Sequence, residues 1–152
     1  MLKTTPKPMK EGAGPVSFSD EVWISAPVER VWQLVTKGAW LDRWFTTFCT
    51  GNLDVPGRIR MSWGTKSEPV EVLASRWEQS TTFRWVAFGV PYATRVRIAF
   101  EKKKRLTRVR LTERGWKRDS KGVVSALHHA IGWTHFLCAL KAYAQFGVEM
   151  RG

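Results

Sequence analysis

The chain has 152 residues, 43% of them hydrophobic, which is enough for one domain with a substantial core and too short for two ordinary domains. Twenty-five basic side chains against 13 acidic ones give a formal net charge of +12, which favours acidic partners over basic ones. Nine tryptophans and eight phenylalanines but only two tyrosines favour a buried aromatic pocket over a wet recognition surface.

The first 15 residues are rich in Lys, Pro, Gly and Thr and carry no hydrophobic pattern, so we predict a flexible tail over 1–15 and a single domain over 16–152. No signal peptide is recognisable, and no apolar run approaches the length needed to span a membrane. Cys49 and Cys138 lack metal or redox spacing and are predicted to be buried free thiols. These features predict a cytoplasmic protein.

The first predicted element is a strand that begins at Val16, in "VSFSDEVWIS". The following "SAPVERVWQLVTKG" has apolar residues at helical spacing and predicts a helix that Ser25 caps and Gly38 ends. "AWLDRWF" then predicts a second short helical turn, which presents Trp44 and Phe45.

Alternating segments dominate the chain after residue 47. In four of the five, arginines alternate with apolar residues, which predicts an antiparallel meander with one dry face and one strongly basic, wet face. The segments in chain order are "RIRMSW", "EPVEVLASRW", "TTFRWVAF", "TRVRIAFE" and "LTRVRLTERGW".

Residues from about 121 to 147 change to a helical period. Ser120 is a candidate cap and Gly147 a stop signal, and the stripe contains Ala126, Trp133 and Leu140. Because nothing else in the chain can cover the dry face of the sheet, we expect this helix to lie across it.

The order of these elements and their local motifs resemble the START-like (SRPBCC) superfamily, in the branch homologous to the C-terminal domain of the Hsp90 ATPase activator. The motifs are "ISAPVERVWQLVT", "LDRWF", "GRIRMSW", "TRVRLTERGW" and "IGWTHFLCALKAY". The resemblance implies the α+β helix-grip (START/Bet v 1-like) fold, in which a curved antiparallel sheet wraps around a long C-terminal helix and two short helices follow the first strand. It also implies an apolar cavity between helix and sheet. Members are similar to carriers or sensors of hydrophobic small molecules, and some relatives are aromatase/cyclases or hydrolases.

The candidate ligand-binding residues are the apolar side chains expected on the inner face of this fold. They are Trp44, Phe45, Trp63, Phe83, Trp85, Val96, Ile98, Trp116, Ala130, Trp133 and Leu137. Glu113, His128 and His129 are the candidate polar residues of the cavity, and Glu113 needs a partner if it points inward. Large rings in this number either wall an open cavity or fill it completely, and the sequence leaves both alternatives open.

No metal site, cofactor or catalytic set is predicted. His128 and His135 share a helix face but lie two turns apart, which is too far for one metal ion, and no acidic or thiol ligand falls at suitable spacing. Specific nucleic-acid binding is not expected either, because the arginines and the aromatic residues fall on opposite faces of the same strands.

We therefore predict noncatalytic binding of a hydrophobic or aromatic, lipid-like small molecule. One alternative is an enzyme of the cyclase or hydrolase kind that uses His128, His129 or Glu113. Another is an Hsp90-type chaperone co-regulator whose arginine face binds an acidic protein surface. The protein is expected to be a monomer or a homodimer.

Overall fold

The computed structural model describes residues 14–151. Residues 1–13, and with them most of the predicted tail, lie outside the described residues. The elements are β1 (Val16–Ile24), α1 (Val28–Thr36), α2 (Gly38–Leu41), β2 (Phe48–Cys49), β3 (Gly57–Trp63), β4 (Lys66–Arg76), β5 (Ser80–Val86), β6 (Ala93–Lys103), β7 (Leu106–Trp116) and α3 (Ser120–Phe146).

The seven strands form one curved antiparallel sheet in the order β1-β7-β6-β5-β4-β3-β2. Strands β2 to β7 form the predicted meander, and β1 returns to pair with β7 along its whole length. The long helix α3 lies on the inner face, so the predicted helix-grip fold is confirmed. The two-residue strand β2 was not predicted, because a segment that short carries no periodic signal.

Side-chain alternation separates the two faces of the sheet. In β6, Val96 and Ile98 are buried toward α3, whereas Arg95 and Arg97 are exposed on the outer face. This is the period of a half-buried antiparallel strand. A bulge between residues 72 and 74 of β4 interrupts the alternation there.

Helix α3 begins and ends at well-defined caps. Asp119, rather than the predicted Ser120, is the N-cap, and its carboxylate accepts a hydrogen bond of 2.8 Å from the Gly122 N–H. Gly147 ends the helix with φ of 66°, a left-handed conformation that favours glycine. Asp and Ser are both typical N-cap residues, and the predicted N-cap is wrong by one residue.

The first helix differs from its prediction at both ends. Pro27, not Ser25, precedes α1, and the Ser25 N–H instead donates to the Gln145 side chain at 2.8 Å. Gly38 does not end α1 but opens α2. A Cβ at Gly38 would overlap the carbonyl oxygen of Gly51, so glycine is required there by close backbone approach.

By length and composition α3 is apolar enough to cross a bilayer, contrary to the sequence prediction. Its inner face, however, is buried at Trp133, Phe136, Leu137 and Leu140, so α3 is the core helix of this fold. It packs closely on β1 and β7 and against α1. Large side chains span the wider gap between α3 and strands β3 to β5.

Candidate functional site

A cavity of about 340 Å³ opens between α3 and strands β3 to β5. This is the flank of the sheet on which α3 does not rest closely. Its eleven lining residues are Phe45, Trp63, Lys66, Glu68, Trp85, Val86, Phe88, His128, His129, Gly132 and Trp133.

Four rings from four parts of the chain wall the cavity. Trp133 of α3 lies 5.5 Å from the Trp85 ring of β5 and 6.3 Å from the Phe45 ring, measured between centroids. Trp63 completes the wall, 5.3 Å from Phe45 and 6.5 Å from Trp85. These are the separations of interacting aromatic pairs, so the rings support one another around the space.

The carboxylate of Glu113 lies directly behind this wall and is completely buried. Its Oε1 accepts hydrogen bonds from Trp85 Nε1 at 3.0 Å and from the Thr94 hydroxyl at 2.7 Å. Its Oε2 accepts from Trp133 Nε1 at 2.6 Å and meets His129 Nδ1 at 3.0 Å. The inward carboxylate therefore has the partners that its burial requires, and no arginine is among them. Four neutral groups surround it instead.

The hydrogen bonds of His129 assign its tautomer. Its Nε2 accepts the backbone N–H of Phe88 at 2.9 Å, so this nitrogen carries no proton. A neutral imidazole with a free Nε2 has its proton on Nδ1, which then donates to Glu113. Since both indoles can only donate as well, every partner of Glu113 can act as a donor, which is the pattern of an ionised carboxylate.

Phe88, in the loop between β5 and β6, is bonded to α3 through both of its backbone groups. Phe88 gives its N–H to His129, and its carbonyl oxygen accepts from the Ser125 hydroxyl. Its ring stacks on His128 with a centroid distance of 4.2 Å. Ser125 also accepts from Trp116 Nε1 at 2.9 Å. This loop therefore closes one end of the cavity.

Two charged residues at the start of β4 line the cavity and were not predicted. Lys66 is exposed with its Nζ 5.6 Å from the Phe88 ring, and Glu68 is half-buried. Lys66 lies before the predicted strand, which began at Glu68, and no sequence pattern placed either residue beside the cavity. Val86, Phe88 and Gly132 were missed as well, since they depend on where α3 meets the β5–β6 loop.

Apart from Glu113, the predicted site residues fall into three groups. Phe45, Trp63, Trp85, Trp133, His128 and His129 line the cavity. Ala130 lies half-buried on α3 outside it. Buried in the packed core rather than lining the cavity are Trp44, Phe83, Val96, Ile98, Trp116 and Leu137.

Hydrogen bonds explain why the two tryptophans of this core group, Trp44 and Trp116, do not belong to the cavity wall. Trp44 Nε1 donates to the Leu34 carbonyl at 2.9 Å, beneath α1. Trp116 was predicted to be a ligand-binding residue, but its ring is completely buried, with its centroid 5.6 Å from that of Phe18. In both, the polar atom finds its partner away from the cavity and fixes the ring in the core.

Within residues 14–151, no group of three or more His, Cys, Asp or Glu side chains is placed to hold a metal ion. Both cysteines are free, but Cys138 is exposed, contrary to the prediction that both would be buried. Burial raises the pKa of the Cys49 thiol above its ordinary value.

One protein family matches most of the chain in sequence. The sequence profile of the family described as Activator of Hsp90 ATPase homolog 1-like protein matches residues 25–145. No curated protein matches the chain significantly in sequence.

Several solved structures are similar to this chain at low sequence identity. DynU16, a protein of the dynemicin biosynthetic locus, is 21% identical with a TM-score of 0.78; the match covers 90% of this chain but only 49% of DynU16, so this chain spans about half its length. SSP2350 from Staphylococcus saprophyticus is 19% identical with a TM-score of 0.77, over 90% and 97% of the two chains. The dimeric Aha1 from Colwellia psychrerythraea is 21% identical with a TM-score of 0.74, over 87% and 98%. At such identities the likeness shows the fold alone.

Proposed function

The chain belongs to the Activator of Hsp90 ATPase homolog 1-like family, and on that premise we propose that its cavity binds a compact aromatic or hydrophobic small molecule without catalysing a reaction on it. The observation that carries this proposal is the cavity of about 340 Å³ walled by Phe45, Trp63, Trp85 and Trp133. Both cysteines are free, which supports the predicted cytoplasmic location.

The size of the cavity favours a ligand of one or two rings over a long acyl chain. Ligand pockets usually measure about 300–1,000 Å³, so this one lies near the lower bound. A planar ligand would present its faces and edges to three indoles, and each aromatic contact contributes about 0.5–1.5 kcal/mol beyond the area it buries. Glu68 and Lys66 at the wall offer an acceptor and a donor for one polar substituent.

The geometry favours binding over catalysis by the cyclase or hydrolase route. The acceptor nitrogen of His129 is occupied by the Phe88 N–H, and the carboxylate of Glu113 is buried behind the wall with both oxygens engaged. A general base needs a free acceptor within hydrogen-bond reach of the substrate proton. His128 lines the cavity but its ring is stacked on Phe88.

Filling the cavity from α3 provides a direct test. Gly132 lines the cavity, and a Cβ there would meet no heavy atom within 4 Å. We expect Gly132→Phe to place its ring in the cavity and to keep the fold, because glycine is a poor residue within a helix. Its matched control is Ile131→Phe, which adds a ring at the neighbouring position, where the side chain is exposed.

The measurement is isothermal titration calorimetry with indole, 2-naphthol and palmitate. We expect saturable binding of the compact aromatics, weakened at least about tenfold in Gly132→Phe and unchanged in Ile131→Phe. Equal affinity in the two variants, or no saturable binding of either aromatic, would overturn the proposal. Tighter binding of palmitate would overturn the preference for a compact ligand.

A second candidate function is association with a protein partner, including a second copy of the chain. The observation that favours it is a row of exposed apolar side chains on the outer surface of α3, namely Val124, Leu127 and Ile131. Sedimentation equilibrium of the wild type and of Leu127→Glu tests self-association. A monomer at every concentration in both proteins would remove the homodimer.

A further inference from the structure

Three arginines lie together on the outer face of the sheet, on the side opposite to the cavity. Arg95 of β6 stands directly opposite Arg114 of β7, and Arg97 follows two residues along β6 on the same face. Their neighbours in the chain, Thr94 and Val96, are buried toward α3, so the guanidinium groups point away from the core. We name these three residues the outer arginine cluster.

The outer arginine cluster has no compensating charge. Among residues 14–151, no carboxylate lies within 4.0 Å of any of its three guanidinium groups, whereas Arg84 and Arg108 on the outer face are both paired with carboxylates. Arg84 meets Glu71 at 2.7 Å, and Arg108 is bonded to Glu21, whose pKa this hydrogen bond lowers. Like charges directly opposite on a sheet destabilise it, so this arrangement carries a cost in the absence of an anion.

A depression of about 560 Å³ lies among these side chains. Besides the outer arginine cluster, it is lined by Leu73, Ala74, Thr82 and Thr112. Guanidinium groups donate only, and a threonine hydroxyl can turn to donate, so the depression offers hydrogen-bond donors and no acidic side chain. A concave surface of this kind suits a small anion better than the flat face of a protein.

We propose that this depression is a binding site for a small phosphate-bearing molecule, held by Arg95, Arg97 and Arg114. A phosphate group has three acceptor oxygens and close to two negative charges at neutral pH. The planar guanidinium fork bonds such oxygens in pairs, which makes arginine better suited than lysine to this recognition. Bound phosphate would also relieve the repulsion between Arg95 and Arg114.

Larger polyanions fit this surface less well. Single-stranded nucleic acid requires exposed rings beside the basic residues, and no aromatic residue lines the depression. Trp23 is the aromatic residue of β1 whose ring lies near outer cations, but these are Lys103 and Arg108, outside the depression. A free phosphate compound is therefore the favoured occupant.

The test uses pyrophosphate as the probe, with calorimetric titration and thermal unfolding at constant ionic strength. The variants are Arg95→Gln and Arg114→Gln, and the matched control is Arg60→Gln, which removes one exposed charge of β3 outside the depression. We expect saturable binding with one site per chain, weakened at least about tenfold in either cluster variant and unchanged in the control. Without pyrophosphate, Arg95→Gln should unfold at the same temperature as the wild type or higher, because it removes like-charge repulsion.

Three results would overturn the proposal: no saturable binding of pyrophosphate, an equal loss of binding in Arg60→Gln, or binding only to oligonucleotides, acidic polypeptides or anionic vesicles. Sodium chloride keeps the ionic strength constant in every titration, so general screening by salt cannot be mistaken for binding of pyrophosphate. The site lies on the opposite face of the sheet from Gly132, so its failure would leave the cavity proposal intact.

Discussion

Replacing Glu113 by glutamine is expected to destabilise the protein, although it changes only one atom of the side chain. The amide keeps one acceptor oxygen and places an NH₂ group where the other oxygen was. The oxygen should face Trp133 and His129, because both donate. The NH₂ group then faces Thr94, whose hydroxyl can turn to accept, and Trp85, whose indole cannot.

The magnitude follows from these four contacts. Orphaning the buried N–H of Trp85 costs about 1–3 kcal/mol. The two bonds kept by the oxygen change from charge-assisted to neutral, a loss of about 1 kcal/mol each. Relief of the carboxylate's desolvation acts in the opposite direction by a few kcal/mol at most, since hydrogen bonds already satisfy the ion. We expect a net loss of about 2 kcal/mol, a large share of the roughly 5–15 kcal/mol that stabilises a typical domain.

Urea unfolding followed by circular dichroism at pH 7 measures this loss, and Glu71→Gln is the matched control. Glu71 undergoes the same change on the outer face, where it loses a largely exposed ion pair with Arg84 that contributes at most about 1 kcal/mol. Should Glu113→Gln prove as stable as Glu71→Gln, or more stable than the wild type, Glu113 would not be the ionised acceptor of four hydrogen bonds.

Three further predictions concern other parts of the chain. Gly38→Ala should lower stability by about 1–3 kcal/mol in urea unfolding because its Cβ meets backbone, while Gly132→Ala, with open space around it, should be neutral or stabilising. Iodoacetamide should label exposed Cys138 well before Cys49, whose raised pKa keeps the thiol protonated; a mass-spectrometric time course with equal rates would contradict this. Asp119→Ala should cost about 1 kcal/mol through loss of the α3 cap, and an unchanged unfolding midpoint would contradict that assignment.

Much of the fold could be predicted because its signals are periodic and local. In β6, Val96 and Ile98 alternate with Arg95 and Arg97, and one residue of slip would reverse every side chain. The exact helix ends could not be predicted as well, because neighbouring residues such as Asp119 and Ser120 are both good caps. The role of Gly38 depends on a contact with Gly51, which no local pattern encodes.

The candidate site was harder to predict because it depends on where α3 lies across the sheet. Strand parity correctly indicates that Glu113 and Trp85 face inward, but it does not say which inner residues α3 covers. Because α3 packs on β1 and β7, Trp116 is covered and Trp85 is left beside open space. The position of α3 across the sheet is set by the sum of many tertiary contacts, and a single sequence does not show these contacts.

Hydrogen bonding explains why the tryptophans wall a cavity instead of filling it. Trp85 and Trp133 both donate their indole N–H to Glu113 behind the wall, which fixes the direction in which each ring extends. A ring that turned into the cavity would gain contacts but would leave its own buried N–H unsatisfied, at about 1–3 kcal/mol. It would also remove one of the two hydrogen bonds that each carboxylate oxygen of Glu113 accepts. Glu113, which the surrounding rings shield from solvent, therefore opposes movement of Trp85 and Trp133 into the cavity. A buried carboxyl group that accepts both indole N–H groups thus helps to keep an apolar binding site open.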